Sequence, residues 1–242
     1  MKKMKKKPRD RFDGDPGIDL LEKALRGFDD LVRMAVNAAK EQLEVPPTCE
    51  SCSSPGCCHQ LVLLSVAEAF PIARRLAQEG RDSATFKEKL KTVGAEQEKL
   101  GRREWWKRAE PCVFLRDGRC SIYDLRPIMC RSYFSWSEVE LCQPPRSSTV
   151  KTVSFTGVGR AMVVLNKEIC DQLELPPGPA YMAVLPRMLA IILECMDRST
   201  KSGVAYLKKQ HFMTVPELEA WFGGAARFEK TSSEEHQQEE LR

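Results

Sequence analysis

No apolar run in this 242-residue sequence is long enough to cross a bilayer. The most apolar stretch, Tyr181 to Met196, is broken by Pro186, Arg187 and Glu194. A span needs about 20 mostly apolar residues, so this stretch reads as a buried helix. No apolar segment follows the lysines near the start, which argues against a secretory signal and for a cytoplasmic protein. Internal repeats are lacking. Gly157-Val158-Gly159 has Met162 where a dinucleotide-binding loop needs its third glycine, and no strand–helix–strand unit surrounds it, so a loop turn is the reading there. Histidine is scarce, with three residues. His59 follows a cysteine pair and is a candidate ligand or proton donor, while His211 and His236 have no partner residues nearby in sequence.

The formal net charge of +4 is unevenly placed. Residues 1–11 hold Lys2, Lys3, Lys5, Lys6, Lys7, Arg9 and Arg11 against Asp10, and the remainder is close to neutral. The basicity is therefore a detachable arm, a weak candidate for contact with nucleic acid or an anionic surface. The length suits one domain with appendages. The expected division is a disordered basic arm at 1–15, a folded domain at 16–224 and a disordered Ser/Glu/Gln-rich tail at 225–242.

Helical patterning dominates the folded part. Leu21, Leu25, Phe28, Val32, Ala35, Ala39 and Leu43 recur at steps of three or four, predicting a helix over 16–44 that Pro46-Pro47 ends. Ser65-Val66-Ala67-Glu68 is a capping box opening a second helix, with Pro71 expected to kink it. Further helices are predicted over 83–107, 159–173 and 179–196, and Thr214-Val215-Pro216-Glu217 opens a last short one. Arg116-Asp117-Gly118-Arg119 is a tight-turn sequence, residues 122–125 suit a helical turn, and residues 150–155 alternate like a short strand. The fold class is mainly α: a helical scaffold carrying two cysteine-rich loops that meet on one side.

Ten cysteines without a signal peptide are the informative feature. Cytosolic thiols stay reduced, so clustered ones read as metal ligands or catalytic groups. Cys170 and Cys195 sit among apolar neighbours in predicted helices and read as core. The other eight fall in two groups: Cys49, Cys52, Cys57 and Cys58, then Cys112, Cys120, Cys130 and Cys142. Thiolates are soft, strong ligands for zinc and for iron–sulfur clusters. Turns such as Pro55-Gly56 and Asp117-Gly118 offer backbone N–H groups to the sulfurs. Cys57-Cys58 leaves three readings open. One residue ligates and the other is core, or the two serve different metals, or one bridges a multinuclear centre. Arg116, Arg119, Arg126 and Arg131 flank the second group. Arg126 and Arg131, with His59 and Tyr123, are candidates for a shell around the ligands that balances the centre's charge.

Cys49-x2-Cys52-x4-Cys57-Cys58, Glu68, Pro111-Cys112-Val113-Phe114-Leu115, Gly118-Arg119-Cys120-Ser121-Ile122-Tyr123 and Arg126-Pro127-Ile128-Met129-Cys130-Arg131 resemble the YkgJ-type cysteine-cluster family, the CxxCxxCC zinc- or iron-chelating domain. The resemblance spans roughly residues 49–142. It implies Cys49, Cys52, Cys57, Cys58, Cys112, Cys120, Cys130 and Cys142 as the metal ligands, with zinc or an iron–sulfur cluster as cofactor. The chain departs from the pattern at Ser53-Ser54-Pro55-Gly56, which is longer than the usual gap before the paired cysteines and bears on which of Cys57 and Cys58 ligates. Most members have no assigned activity, but a flagellin lysine N-methylase has a similar cysteine domain. Three functions follow as expectations. The first is a metal or Fe–S binding module, structural or acting with an unidentified protein partner. The second is a metal-dependent enzyme modifying a protein, with His59, Tyr123, Arg131 and Tyr133 lining its pocket. The third is a zinc-structured nucleic-acid-associated protein using the lysine arm.

Overall fold

A computed structural model describes residues 18–50, 56–143, 164, 166–214, 216–218 and 220–221. The basic arm, the C-terminal tail, Cys52 and the strand expected over 150–155 lie outside the described residues.

The fold is mainly α, as the periodicity predicts. α1 (Ile18–Leu43) buries Leu21, Leu25, Phe28, Val32, Val36 and Ala39 on one face. Val36 takes the inward place expected of Ala35, and Leu43 is exposed, because the stripe drifts round the helix over its length. β1 (Leu63–Ser65) leads directly into α2 (Val66–Gln78), which runs through Pro71 as one helix. Ser65 caps α2: its Oγ accepts from the Glu68 N–H and donates to Glu68 Oε2 at 2.7 Å, while the Ser65 N–H donates to Oε2 at 3.2 Å. α3 (Ala84–Lys107) is two helical stretches merged across Gly101, whose φ of 68° breaks the expected continuous helix.

The predicted helix over 179–196 is corrected at its start. Met182–Val184 form a strand, β4, and only Leu185–Met196, α5, are helical. β4 pairs antiparallel with β1 in the register Leu63↔Val184, Leu64↔Ala183 and Ser65↔Met182. All six residues are buried, so the ribbon has no polar face and no alternation to read. α6 (Thr200–Leu207) has no counterpart among the predicted elements. Residues 166–172 are helical, and their Asn166 ties the ribbon to α2 by accepting from the Ala67 N–H and donating to the Ala180 carbonyl at 2.8 Å.

α5 is central, packing against α2, α3 and α6. Gly94 lets α3 lie against it: a Cβ there would come within 2.8 Å of the Arg187 backbone nitrogen. One apolar cluster joins Phe70, Ile72 and Leu76 of α2 with Met188, Leu189 and Ile192 of α5 and with Phe114, Ile122 and Leu125. A second joins the α1 face to Leu61, Leu63, Trp105, Ile128 and Met182. Between them, the two clusters hold both ends of the cysteine-bearing segment.

Candidate metal centre

Buried apolar neighbours pin the turns that carry Cys57, Cys58, Cys112, Cys120 and Cys130. Between Cys112 and Cys120 the chain forms a hairpin of β2 (Leu115–Arg116) and β3 (Arg119–Cys120), with Leu115 opposite Cys120. Asp117 and Gly118 both have positive φ, 50° and 71°, the conformation a two-residue hairpin turn requires. Phe114 and Ile122 anchor the hairpin in the first core. A helical turn at Tyr123–Leu125 follows, then a one-turn helix, α4 (Ile128–Arg131), that carries Cys130 and buries Ile128 in the second core. Cys57 and Cys58 ride a 3-10 turn, Gly56–His59, with Leu61 buried just beyond it. The Cys112 N–H donates to the Cys58 carbonyl at 2.7 Å, closing the first loop onto the second.

Four thiols become electrostatic neighbours as a result. The charges of Cys57 and Cys120 act on Cys112, that of Cys57 on Cys120, and those of Cys112, Cys57 and Cys120 on Cys130. Burial, and less so the neighbouring Cys120 and Cys57 thiols, push the Cys112 thiol up to about 11 against a hydrogen bond from the Phe114 N–H. Burial likewise raises Cys120, opposed by the Ile122 N–H and by the Arg126 guanidinium. Cys130 is raised well above the usual thiol range, by burial and then by the three other thiols.

Cys49 and Cys142 meet elsewhere, at Ser135. The Ser135 N–H donates to Cys49 Sγ at 3.2 Å, and Cys142 Sγ lies 3.4 Å from Ser135 Oγ. The Thr48 N–H donates to the Ser135 carbonyl at 2.8 Å, fixing the Cys49 turn to the segment around Ser135. Cys142 is buried on the 3-10 turn Val139–Cys142, which packs against the Cys57-Cys58 turn. Gly56 permits that approach, since a Cβ there would sit 2.1 Å from the Cys142 carbonyl oxygen.

The sulfurs are neighbours rather than a closed coordination sphere. Among the described residues, no three Cys, His, Asp or Glu donors stand close enough to hold a metal ion as arranged. The donor chemistry nonetheless fits zinc or an iron–sulfur cluster. Four soft sulfurs come from three backbone segments, and two of them already accept a backbone N–H. A buried thiol that stays protonated alone is ionised when it coordinates a cation. The buried Gln60 Nε2, three residues past Cys57, has no hydrogen-bond partner in the protein.

The flanking residues divide sharply. Arg126 stacks over Tyr123 with its guanidinium carbon 3.9 Å from the ring centre, and Tyr123 itself is 64% exposed. His59 Nδ1 lies 3.3 Å from the Gly56 carbonyl oxygen, closing its own turn. Arg116 and Arg119 are exposed on the hairpin. Arg131 corrects the expectation that it lines a pocket: it is fully buried, and its guanidinium donates to Asp29 on α1 and to the Asp124 and Arg126 carbonyls. A cleft of about 280 Å³ between α3, α5 and α6 has no cysteine in its wall, and its cations are paired, Lys91 with Glu194 and Arg187 with Glu98.

Sequence reasoning missed two participants, Asp29 and Ser135, and the second contact of a third, Glu68. Asp29 pairs with both Arg131 and Arg126. Ser135 joins Cys49 to Cys142. Glu68, read as a capping residue, also accepts from the Ile128 N–H at 2.8 Å and so holds the helix that carries Cys130. Its place between two cysteine groups was the available signal. Asp29 and Ser135 gave none, since each acts across a long sequence separation.

No curated protein and no solved structure matches the chain significantly. A family model does, described as "CxxCxxCC: Putative zinc- or iron-chelating domain", over residues 48–156. That segment contains all eight clustered cysteines. Residues 48–156 of this chain are thus similar to the CxxCxxCC domain, a family described as zinc- or iron-chelating.

Proposed function

We propose that this protein binds zinc or an iron–sulfur centre through its clustered thiolates, and that the centre is structural, tying the cysteine loops to the helical scaffold. The observation that carries this reading is the meeting of the cysteine turns: the Cys112 N–H donates to the Cys58 carbonyl at 2.7 Å, and the turn carrying Cys142 packs against the Cys57-Cys58 turn. Ionising buried, clustered thiols costs desolvation and mutual repulsion, which a bound cation offsets. Four thiolates complete a tetrahedral sphere and leave no coordination position for a substrate. The residues around them also serve structure: Arg131 and Glu68 spend their polar atoms on backbone groups and on Asp29.

Anaerobic purification followed by metal and acid-labile sulfide analysis tests the proposal. The expected result is stoichiometric zinc in a colourless protein, or iron with sulfide in a brown one. Reduced protein that contains neither metal and takes up neither on reconstitution refutes it.

A further inference from the structure

We propose that a second, exposed apolar seam on α1 is the docking surface for another copy of this chain, the two α1 helices packing antiparallel about a two-fold axis.

α1 carries more apolar surface than its own core takes up. Ala24, Leu31 and Ala38 recur every seven residues, and so do Gly27 and Met34, in alternating steps of three and four. That is the spacing of a seam between two helices. At 3.6 residues per turn it lies roughly 120° round the helix from the face packed on the core. Within the chain it stays open: Leu31 is 62% exposed, Met34 is 69% exposed, and Gly27 and Ala38 are exposed as well. Apolar side chains gathered on one exposed face mark an interaction surface, whereas scattered ones do not.

Gly27 is an independent observation. Glycine weakens a helix interior because it loses more freedom on folding than any other residue. Gly94 and Gly56 justify themselves by admitting a neighbouring backbone, and Gly101 by its positive φ. Gly27 does neither, and a Cβ there would meet nothing within 4 Å. On the seam, with Ala24 and Ala38 one turn and three turns away, it lets a second helix backbone come close.

Charge selects the occupant and its direction. Seven residues past Met34 the seam ends in Glu41, and at its other end Lys23 precedes Ala24, both side chains exposed. A parallel copy sets Glu41 against Glu41 and Lys23 against Lys23. An antiparallel copy sets Leu31 against Met34, Gly27 against Ala38 and Ala24 against Glu41. Each Glu41 then lies beside the Lys23 of the other copy, at both ends of the pair. The seam is therefore its own complement, as a two-fold interface requires.

Sedimentation of the full, reduced, metal-loaded chain across a range of concentrations is the test. The mass is expected to rise with concentration from 27.4 kDa to twice that value. Leu31→Lys combined with Met34→Lys is expected to remain monomeric throughout while keeping the wild-type urea midpoint, since both positions are on the surface. Lys23→Glu alone and Glu41→Lys alone each bring like charges together at two places and are expected to weaken the dimer about tenfold. The two combined exchange the charges and are expected to restore it. A chain that stays monomeric at every concentration overturns the proposal and leaves the seam to a different protein. A dimer that survives the paired lysine substitutions forms through another surface and overturns it too. Charge exchange that fails to restore the dimer overturns the antiparallel pairing.

Discussion

At the scale of single residues, Glu68 shows how a buried charge is used for positioning. A buried carboxylate costs free energy unless its oxygens are hydrogen-bonded. Glu68 meets that demand with Ser65 on one oxygen and the Ile128 N–H on the other. Burial still lifts it above the ordinary glutamate range, against those hydrogen bonds and the Arg131 charge. The folded chain therefore holds this proton more tightly than the unfolded one. Stability from Glu68 is fully present below the ordinary glutamate value and is lost as pH rises through the raised one. Glu68→Gln, which does not titrate, is expected to flatten that limb of the stability curve. Urea midpoints of metal-loaded protein, followed from acid to neutral pH, check it, and an unchanged slope counts against it. The core cysteines Cys170 and Cys195 are a contrasting case. Burial pushes both thiols up to about 12. Thiols of that kind are inert, so native protein treated with an alkylating reagent at mildly alkaline pH is expected to leave both unlabelled by peptide mapping.

At the scale of elements, α1 and α4 meet through one guanidinium. Arg131 is fully buried and its donors go to Asp29 on α1 and to the carbonyls of Asp124 and Arg126. Removing one member of a buried charged network costs about 3–5 kcal/mol, because the partners stay buried and unpaired. Arg131→Ala is therefore expected to lower unfolding free energy by about that amount, read by urea titration at fixed metal loading. It should also weaken metal retention, since α4 carries Cys130. A variant that unfolds at the wild-type urea midpoint shows that Arg131 does not hold these helices together. The β1–β4 ribbon works in a similar way. Two three-residue strands are marginal alone, but each runs straight into a buried helix, so pairing them sets α2 beside α5.

At the scale of the whole molecule, two kinds of cohesion divide the work. α2, α5 and the helices around them share a continuous apolar core that includes Phe70, Met188 and Ile192. The cysteine segments have little regular structure of their own, only short turns, a two-residue hairpin and a one-turn helix. Metal sites contribute on the order of 10 kcal/mol in small cysteine domains. Chelation is therefore expected to loosen the turns that carry Cys49, Cys57, Cys58, Cys112, Cys120, Cys130 and Cys142 while the helical scaffold, α2 and α3 included, survives. Limited proteolysis should then cut first among the cysteine turns, and far-UV circular dichroism should keep most of its helical signal. Cooperative loss of the whole helical signal on chelation indicates instead that metal and core form one folding unit.

Much of this was legible before any coordinates. α1, the capping box at Ser65–Glu68, the Asp117-Gly118 turn and the core placement of Cys170 and Cys195 follow from local rules of periodicity, turn chemistry and hydrophobicity. The β1–β4 ribbon was not legible, because strands of three buried residues carry no period. Nor were α6, the Gly101 break, Asp29 or Ser135, whose roles depend on residues distant in the chain. The sequence by itself determined which thiols cluster and that helices would carry them, since both are statements about neighbours along the chain. Only the tertiary structure decided which thiols share an environment, with Cys57 beside Cys112, Cys120 and Cys130, and Cys49 and Cys142 at Ser135. That follows from where the buried anchors Phe114, Ile122 and Ile128 hold the loops, and burial is a property of the folded chain.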